Sequence, residues 1–212
     1  MDLNGKTKEE ILKSFDVPAK MKIFTYEGEK DTIMKPTDSI IYYKHMLQTG
    51  MMAMEPRSGH IKAWVGGVNY KYFQYDHVGQ GARQVGSTFK PFLYATAIEQ
   101  LGMSPCDSII DSYFTMPKGK WGIDADWSPK NSDGNYRGTI TLQKALANSV
   151  NTVSAKLIDR VGPKAVVDMA KELGVTSDIP EQPSIALGAV DITVEQMVGA
   201  MSTFANQGVY VK

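Results

Sequence analysis

Ser87 and Lys90 stand three positions apart in Arg83-Gln84-Val85-Gly86-Ser87-Thr88-Phe89-Lys90-Pro91. Residues i and i+3 of a helix lie roughly 5–6 Å apart at Cβ, so the lysine amine can reach the serine oxygen. A neutral lysine there takes the hydroxyl proton as the oxygen attacks a carbonyl, which is the chemistry of an activated nucleophile with a built-in base. Neutrality near pH 7 requires a lowered lysine pKa, which burial or a neighbouring cation supplies. The four letters alone equally describe a surface serine at a helix start beside a solvated lysine. Pro91 adds a rival, because proline suits the first helical position and would leave the pair in a loop.

A second constellation lies at Ser149-Val150-Asn151, after Leu142-Gln143-Lys144-Ala145-Leu146-Ala147-Asn148. Leu142 and Leu146 share one helical face, and Val153, Leu157 and Val161 share the next. Asn148, Ser149 and Asn151 between them compete with helix backbone and favour breaks, so the triplet is expected at a turn between two helices. A hydroxyl there can relay a proton to a leaving group, and a side-chain amide can hold a peptide carbonyl. Helix capping by Ser149 and Asn151 accounts for the same residues.

The surrounding text bears on the choice. Ala53-Met54-Glu55-Pro56-Arg57-Ser58-Gly59-His60-Ile61-Lys62-Ala63-Trp64-Val65-Gly66-Gly67 resembles the strand-turn-strand before the nucleophile in class A penicillin-binding proteins. Arg83-Gln84 ahead of Gly86-Ser87-Thr88-Phe89-Lys90-Pro91 is similar to their active-site segment, a Ser-x-x-Lys pattern that class A β-lactamases share. Trp127-Ser128-Pro129-Lys130-Asn131, Gly138 and Ala145 to Asn151 resemble their second segment. Ile185-Ala186-Leu187-Gly188 and Phe204-Ala205-Asn206-Gln207-Gly208 resemble the approach to their third. The likeness covers roughly residues 35 to 212.

That resemblance implies an α+β transpeptidase fold of the penicillin-binding protein and serine β-lactamase type, an incomplete antiparallel sheet with a helical lobe. It implies Ser87 as acylated nucleophile, Lys90 as base, Ser149 as proton relay and Asn151 as substrate contact. The family attacks the bond between the two terminal D-alanines of a peptidoglycan stem peptide, releases D-alanine and passes the acyl group to an amine on a neighbouring strand. β-Lactam antibiotics acylate the same serine, and neither metal nor organic cofactor takes part. The family is anchored in the cytoplasmic membrane and faces outward, so the parent protein is expected at the extracytoplasmic face, in the periplasm. Its membrane contact is then expected only through an anchor elsewhere in the parent.

The family's third motif, Lys-Thr/Ser-Gly, does not occur in the sequence, whose last residues are Tyr210-Val211-Lys212. The chain is therefore expected to be a fragment of a transpeptidase domain. Without the strand that binds the substrate carboxylate and gives one oxyanion N–H, acylation should be slow, since one lost oxyanion donor costs about 10²–10³ in rate. A serine β-lactamase-like hydrolase is the alternative enzyme, and an inert fragment of the fold the non-enzymatic one. Class A β-lactamases add a glutamate for deacylation. Glu181 lies in the right third of the chain, yet Pro180-Glu181-Gln182-Pro183 does not resemble that loop.

The elements that must position these residues are legible in outline. Residues 1–36 read as an N-terminal appendage or linker, with a short charged helix over Thr7 to Phe15 and a hairpin over Met21 to Met34. Residues 37–212 read as the partial transpeptidase domain. It opens on a helix through Leu47, followed by paired strands at Met51–Pro56 and His60–Gly67. The nucleophile helix carries Phe89, Leu93, Ala97 and Leu101 on one stripe and stops at Gly102. Met103 to Tyr136 reads as a long surface loop. Helices follow from Pro163 to Gly174 and from the Thr193/Gln196 capping pattern to Gly208.

Composition fits this picture and excludes others. A length of 212 residues, 42% hydrophobic and 22% charged, is that of a globular domain. A formal net charge of +0 gives no electrostatic footprint for nucleic acid. Cys106 is alone, and His45, His60 and His77 lack metal-ligand spacing.

Overall fold

A computed structural model describes residues 7–211. The first six residues of the expected appendage, and Lys212, lie outside them. The chain divides into two compact units: residues up to Thr49 with Gly67–Gln74, and Gly50–Gly66 with Tyr75 onward.

The first unit begins with α1 (Lys8–Ser14), opened by a capping box in which Thr7 and Glu10 satisfy each other's backbone N–H groups. Strands β1 (Ala19–Thr25) and β2 (Gly28–Met34) form an antiparallel hairpin from Ala19↔Met34 to Thr25↔Gly28. Helix α2 (Pro36–His45) follows, with proline in its first turn. Its Tyr42 and Tyr43 hydroxyls bond the Phe24 carbonyl and N–H at 2.9 and 3.0 Å. The Phe24 ring stacks on Tyr72, and Lys71 and Tyr72 both bind Glu29. This cluster explains why the units divide after Thr49 and not after residue 36, where the sequence pattern alone puts the boundary. Helix α2 lays its half-buried tyrosines against the hairpin.

The second unit holds the long helices. Strands β3 (Met51–Met54) and β4 (Ile61–Val65) pair antiparallel with an irregularity at Ala53/Met54. Strand β5 (Arg83–Gln84) leads through a 3-10 turn at Gly86–Phe89 into α3 (Lys90–Leu101), which Gly102 ends in the left-handed region. Phe92, Leu93, Tyr94, Thr96 and Ala97 are all buried, so α3 is enclosed on most of its circumference. Strand β6 (Ser108–Asp111) pairs with β7 (Gly138–Thr141), from which α4 (Leu142–Ala147) and α5 (Asn151–Val161) continue.

Helix α6 (Pro163–Glu172) buries Val166, Val167 and Ala170 against α3 and α5. A further 3-10 turn, Pro183–Leu187, buries Ile185 and Ala186 and leads to β8 (Asp191–Ile192), which pairs with β5. Helix α7 (Val194–Ala205), capped by Thr193, lies against β3. The architecture is the expected α+β one, and the sheets among the described residues are four separate antiparallel pairs.

Residues 103–136 are not the plain surface loop that their Pro, Gly and Asp content suggests. They contain β6, a bridge between Met116 and Trp127, and the buried side chains of Asp111, Met116 and Asn131. Among the described residues no helix is long and apolar enough to cross a membrane.

Candidate active site

The 3-10 turn at Gly86–Phe89 resolves the rivalry over Pro91. A 3-10 helix has three residues per turn, so Ser87 and Lys90 eclipse on one face, and Lys90 is the first residue of α3 with Pro91 second. Ser87 is exposed while Lys90 is 1% exposed. The turn is pinned from outside: Val85 and Gly86 donate their N–H groups to the carbonyls of Val190 and Gly188 at 3.0 and 3.1 Å. Gly188 sits so tightly over this turn that a Cβ built on it would lie 1.8 Å from the Gly86 carbonyl oxygen.

Ser149 comes to the same place by a helix terminus. The Ser149 N–H donates to Leu146 O and the Val150 N–H to Ala145 O, both at 2.9 Å, which closes α4 with the paired bonds of a Schellman motif. Ser149 occupies the position that usually holds glycine and takes φ 51°. That backbone turns both its carbonyl and its hydroxyl toward Lys90. The Lys90 Nζ donates to Ser149 O at 2.7 Å, Ser149 Oγ at 2.9 Å and Asn151 Oδ1 at 2.8 Å. Ser149 Oγ in turn lies 2.9 Å from Ser87 Oγ. All four residues singled out in the sequence thus meet in one hydrogen-bonded group. Lys90 meets Ser87 through Ser149, whereas the spacing alone suggested a direct reach.

The electrostatics favour a titratable amine. All three acceptors around Lys90 are neutral, and burial pushes its pKa down from 10.5 to about 8. Asn151 is held at both ends of its amide, with Oδ1 accepting from Lys90 and Nδ2 donating to the Lys130 carbonyl at 2.9 Å. One amide hydrogen remains free to bind a ligand carbonyl.

Beneath the site lies a network to which the sequence pattern assigns no role. The Asn131 Oδ1 accepts from the N–H groups of Asn151 and Thr152 at 2.9 and 3.2 Å, and its Nδ2 donates to Asp111 Oδ1 at 2.9 Å. Asn131 stands inside the Trp127–Asn131 segment of the resemblance, which was the one available signal. Beside Ser149, a cleft of about 250 Å³ is lined by Asn131, Ser132, Asp133, Arg137, Asn148, Ser149 and Val150. Glu181 is exposed in a different loop, where its charge acts on Lys164. Among the described residues no three His, Cys, Asp or Glu side chains gather closely enough to hold a metal ion.

Comparison with known proteins identifies the family of the chain. Residues 49–212 match the family model described as penicillin binding protein transpeptidase domain, and residues 1–47 the penicillin-binding protein middle domain. Penicillin-binding protein 1A of Neisseria cinerea is 34% identical over 170 residues, covering 80% of this chain and 21% of the relative. That of Aquifex aeolicus is 37% identical over 169 residues, covering 78% and 22%. The chain spans about a fifth of the length of these curated relatives. Among solved structures, penicillin-binding protein 1A from Haemophilus influenzae superposes with TM-score 0.73 at 28% identity, covering 78% of this chain and 24% of that one. The PonA1 protein from Mycobacterium tuberculosis in complex with penicillin V gives TM-score 0.65 at 24% identity over 96% of this chain and 55% of that one, a likeness of fold.

Proposed function

Because this chain belongs to the penicillin-binding protein transpeptidase family, we propose that it carries the acyl-transfer half-site of a peptidoglycan cross-linking enzyme, with Ser87 as nucleophile. The observation that supports this reading is the hydrogen-bonded run Ser87–Ser149–Lys90, with a buried amine at one end and an exposed hydroxyl at the other.

With Lys90 protonated, its N–H points at Ser149 Oγ and the Ser149 hydroxyl donates to Ser87. With Lys90 neutral the run reverses: Ser87 O–H donates to Ser149, and Ser149 O–H to the amine lone pair. In the reversed state the Ser87 oxygen attacks the carbonyl between the two terminal D-alanines of a stem peptide, and its proton passes to Ser149 as the Ser149 proton passes to Lys90. The tetrahedral oxyanion accepts the Ser87 N–H, which lies in the first turn of the 3-10 segment, where N–H groups lack partners within the turn. The proton then returns from Lys90 through Ser149 to the departing D-alanine amine. Asn151 holds the peptide carbonyl by its free amide hydrogen. An acceptor amine attacks the Ser87 ester and gives its proton to Lys90 through Ser149, and the relay returns that proton to the departing Ser87 oxygen as the cross-linked peptide leaves. β-Lactams enter as stem-peptide mimics and stop at the ester. The parent protein works outside the cytoplasmic membrane, where this substrate lies.

Prolonged incubation with a penicillin, followed by intact-mass spectrometry and peptide mapping, tests the reading. A single adduct on Ser87, lost in Ser87→Ala, is expected. No adduct, or one on another residue that survives Ser87→Ala, would overturn it.

A further inference from the structure

We propose that Asp111 and Asn131 are positioning residues for acyl transfer. The buried carboxylate fixes the Asn131 amide, and the amide fixes the first turn of α5 and with it Asn151 and Ser149. The proposal rests on the reading of Ser87, Lys90 and Ser149 given above.

Asp111 is 1% exposed, and a carboxylate at that depth persists only if its oxygens are satisfied. It accepts from the Thr152 hydroxyl, from Asn131 Nδ2 at 2.9 Å and from the Arg137 N–H at 2.9 Å, with the Arg137 guanidinium at 3.5 Å. Burial opposes its charge, but these donors outweigh it and hold the carboxyl below its usual range. An ionised carboxylate only accepts, so the Asn131 nitrogen must face it. The Asn135 carbonyl, accepting from the same nitrogen at 2.8 Å, enforces that choice.

The Asn131 oxygen is thereby aimed at the opposite side, where it takes the N–H groups of Asn151 and Thr152. Helix α5 has no side-chain cap of its own at Val150. Asn131 supplies that cap from 20 residues away in sequence, and it does so at the backbone of a residue whose side chain holds Lys90. A shift there would move the Asn151 oxygen away from the Lys90 amine and loosen the turn that presents Ser149. Such a displacement of the hydrogen-bonded group raises the barrier to the chemical step more than it weakens binding.

The test compares Asp111→Asn, Asn131→Asp and the double swap. In the swap the amide now at position 111 can donate to the carboxylate now at position 131, whose other oxygen still accepts from α5, while the Asn135 carbonyl loses its donor and must turn away. The Thr152 hydroxyl, 3.5 Å from the oxygen at position 131, can turn toward it. Penicillin acylation of Ser87 is followed over concentration, giving a first-order constant at saturation and a half-saturating concentration. Each single variant should lower the constant at least about tenfold with under about threefold change in half-saturation. The double variant should regain part of the loss and outpace both single variants, since coupled partners are non-additive and the 111–131 pairing is restored while the Asn135 contact is not. Val166→Ala, a core deletion in α6, a helix that gives no side chain to the hydrogen-bonded group, should lower the melting temperature yet leave the constant unchanged.

Unaltered constants in the single variants, a loss confined to half-saturation, or a swap no faster than the slower single variant would each overturn the proposal. Failure of all three variants to fold, judged by circular dichroism, assigns the pair to the fold and overturns it too. A wild-type chain that forms no Ser87 adduct instead removes the acyl-transfer reading beneath it.

Discussion

Lys90 is surrounded by three neutral oxygens and almost no water, and its behaviour with pH follows from that setting. With its pKa near 8, about a tenth of molecules hold the neutral amine at pH 7. Ser87 acylation should rise roughly tenfold from pH 6 to 7 and level off above 8, and Lys90→Arg, which cannot lose its proton, should abolish it. A flat profile, or a Lys90→Arg rate within about tenfold of wild type, would remove the base role. Stability should move in the same sense. Between about 8 and the ordinary 10.5 the unfolded lysine binds more protons than the folded one, so the melting temperature should climb across that window. Below it both states are protonated and the cost of burying the ammonium is fully felt. At this scale the sequence was readable where spacing carries the chemistry, as for Ser87 and Lys90. The partnership of Asp111 with Asn131 is not readable, because aspartate and asparagine are everyday turn residues and the two meet only when β6 and the segment before β7 close on each other.

The turn between α4 and α5 is the element on which the site depends, and it holds a serine where helix termini prefer glycine. A left-handed non-glycine residue costs about 1–2 kcal/mol. Ser149→Gly should therefore be more stable than Ser149→Ala by about 1 kcal/mol, while both lose most of the acylation rate for want of the hydroxyl. Urea unfolding with the labelling assay measures both, and equal stabilities would show that the left-handed backbone carries no strain. The break itself was legible, since Asn148, Ser149 and Asn151 all disfavour helix interiors. Its handedness was not, because no glycine marks it. Strands β6 and β7 escaped for a related reason. Each is four residues long, and they pair across a stretch of turn-forming residues, so neither shows enough alternation to be seen alone.

Over the whole chain, helices α3 to α7 fall where hydrophobic periodicity, proline starts and glycine stops put them, since such signals are local. The first unit extends past residue 36 to Thr49 because tyrosines of α2 meet a hairpin and a segment near residue 72, an affinity with no local signature. The backbone contact between Gly188 and the nucleophile turn is equally remote in sequence, and it bears on time as well as on shape. The turn that presents Ser87 is held by carbonyls about a hundred positions further along, so it can be completed only when that large loop closes, a slow event in folding. Reactivity toward penicillin should thus be a late marker during refolding, lagging the tryptophan fluorescence change that reports collapse. Gly188→Ala, whose methyl group would collide with the Gly86 backbone, should lengthen that lag and lower the final reactive fraction. Simultaneous recovery of both signals would mean that the nucleophile turn forms without its distant clasp.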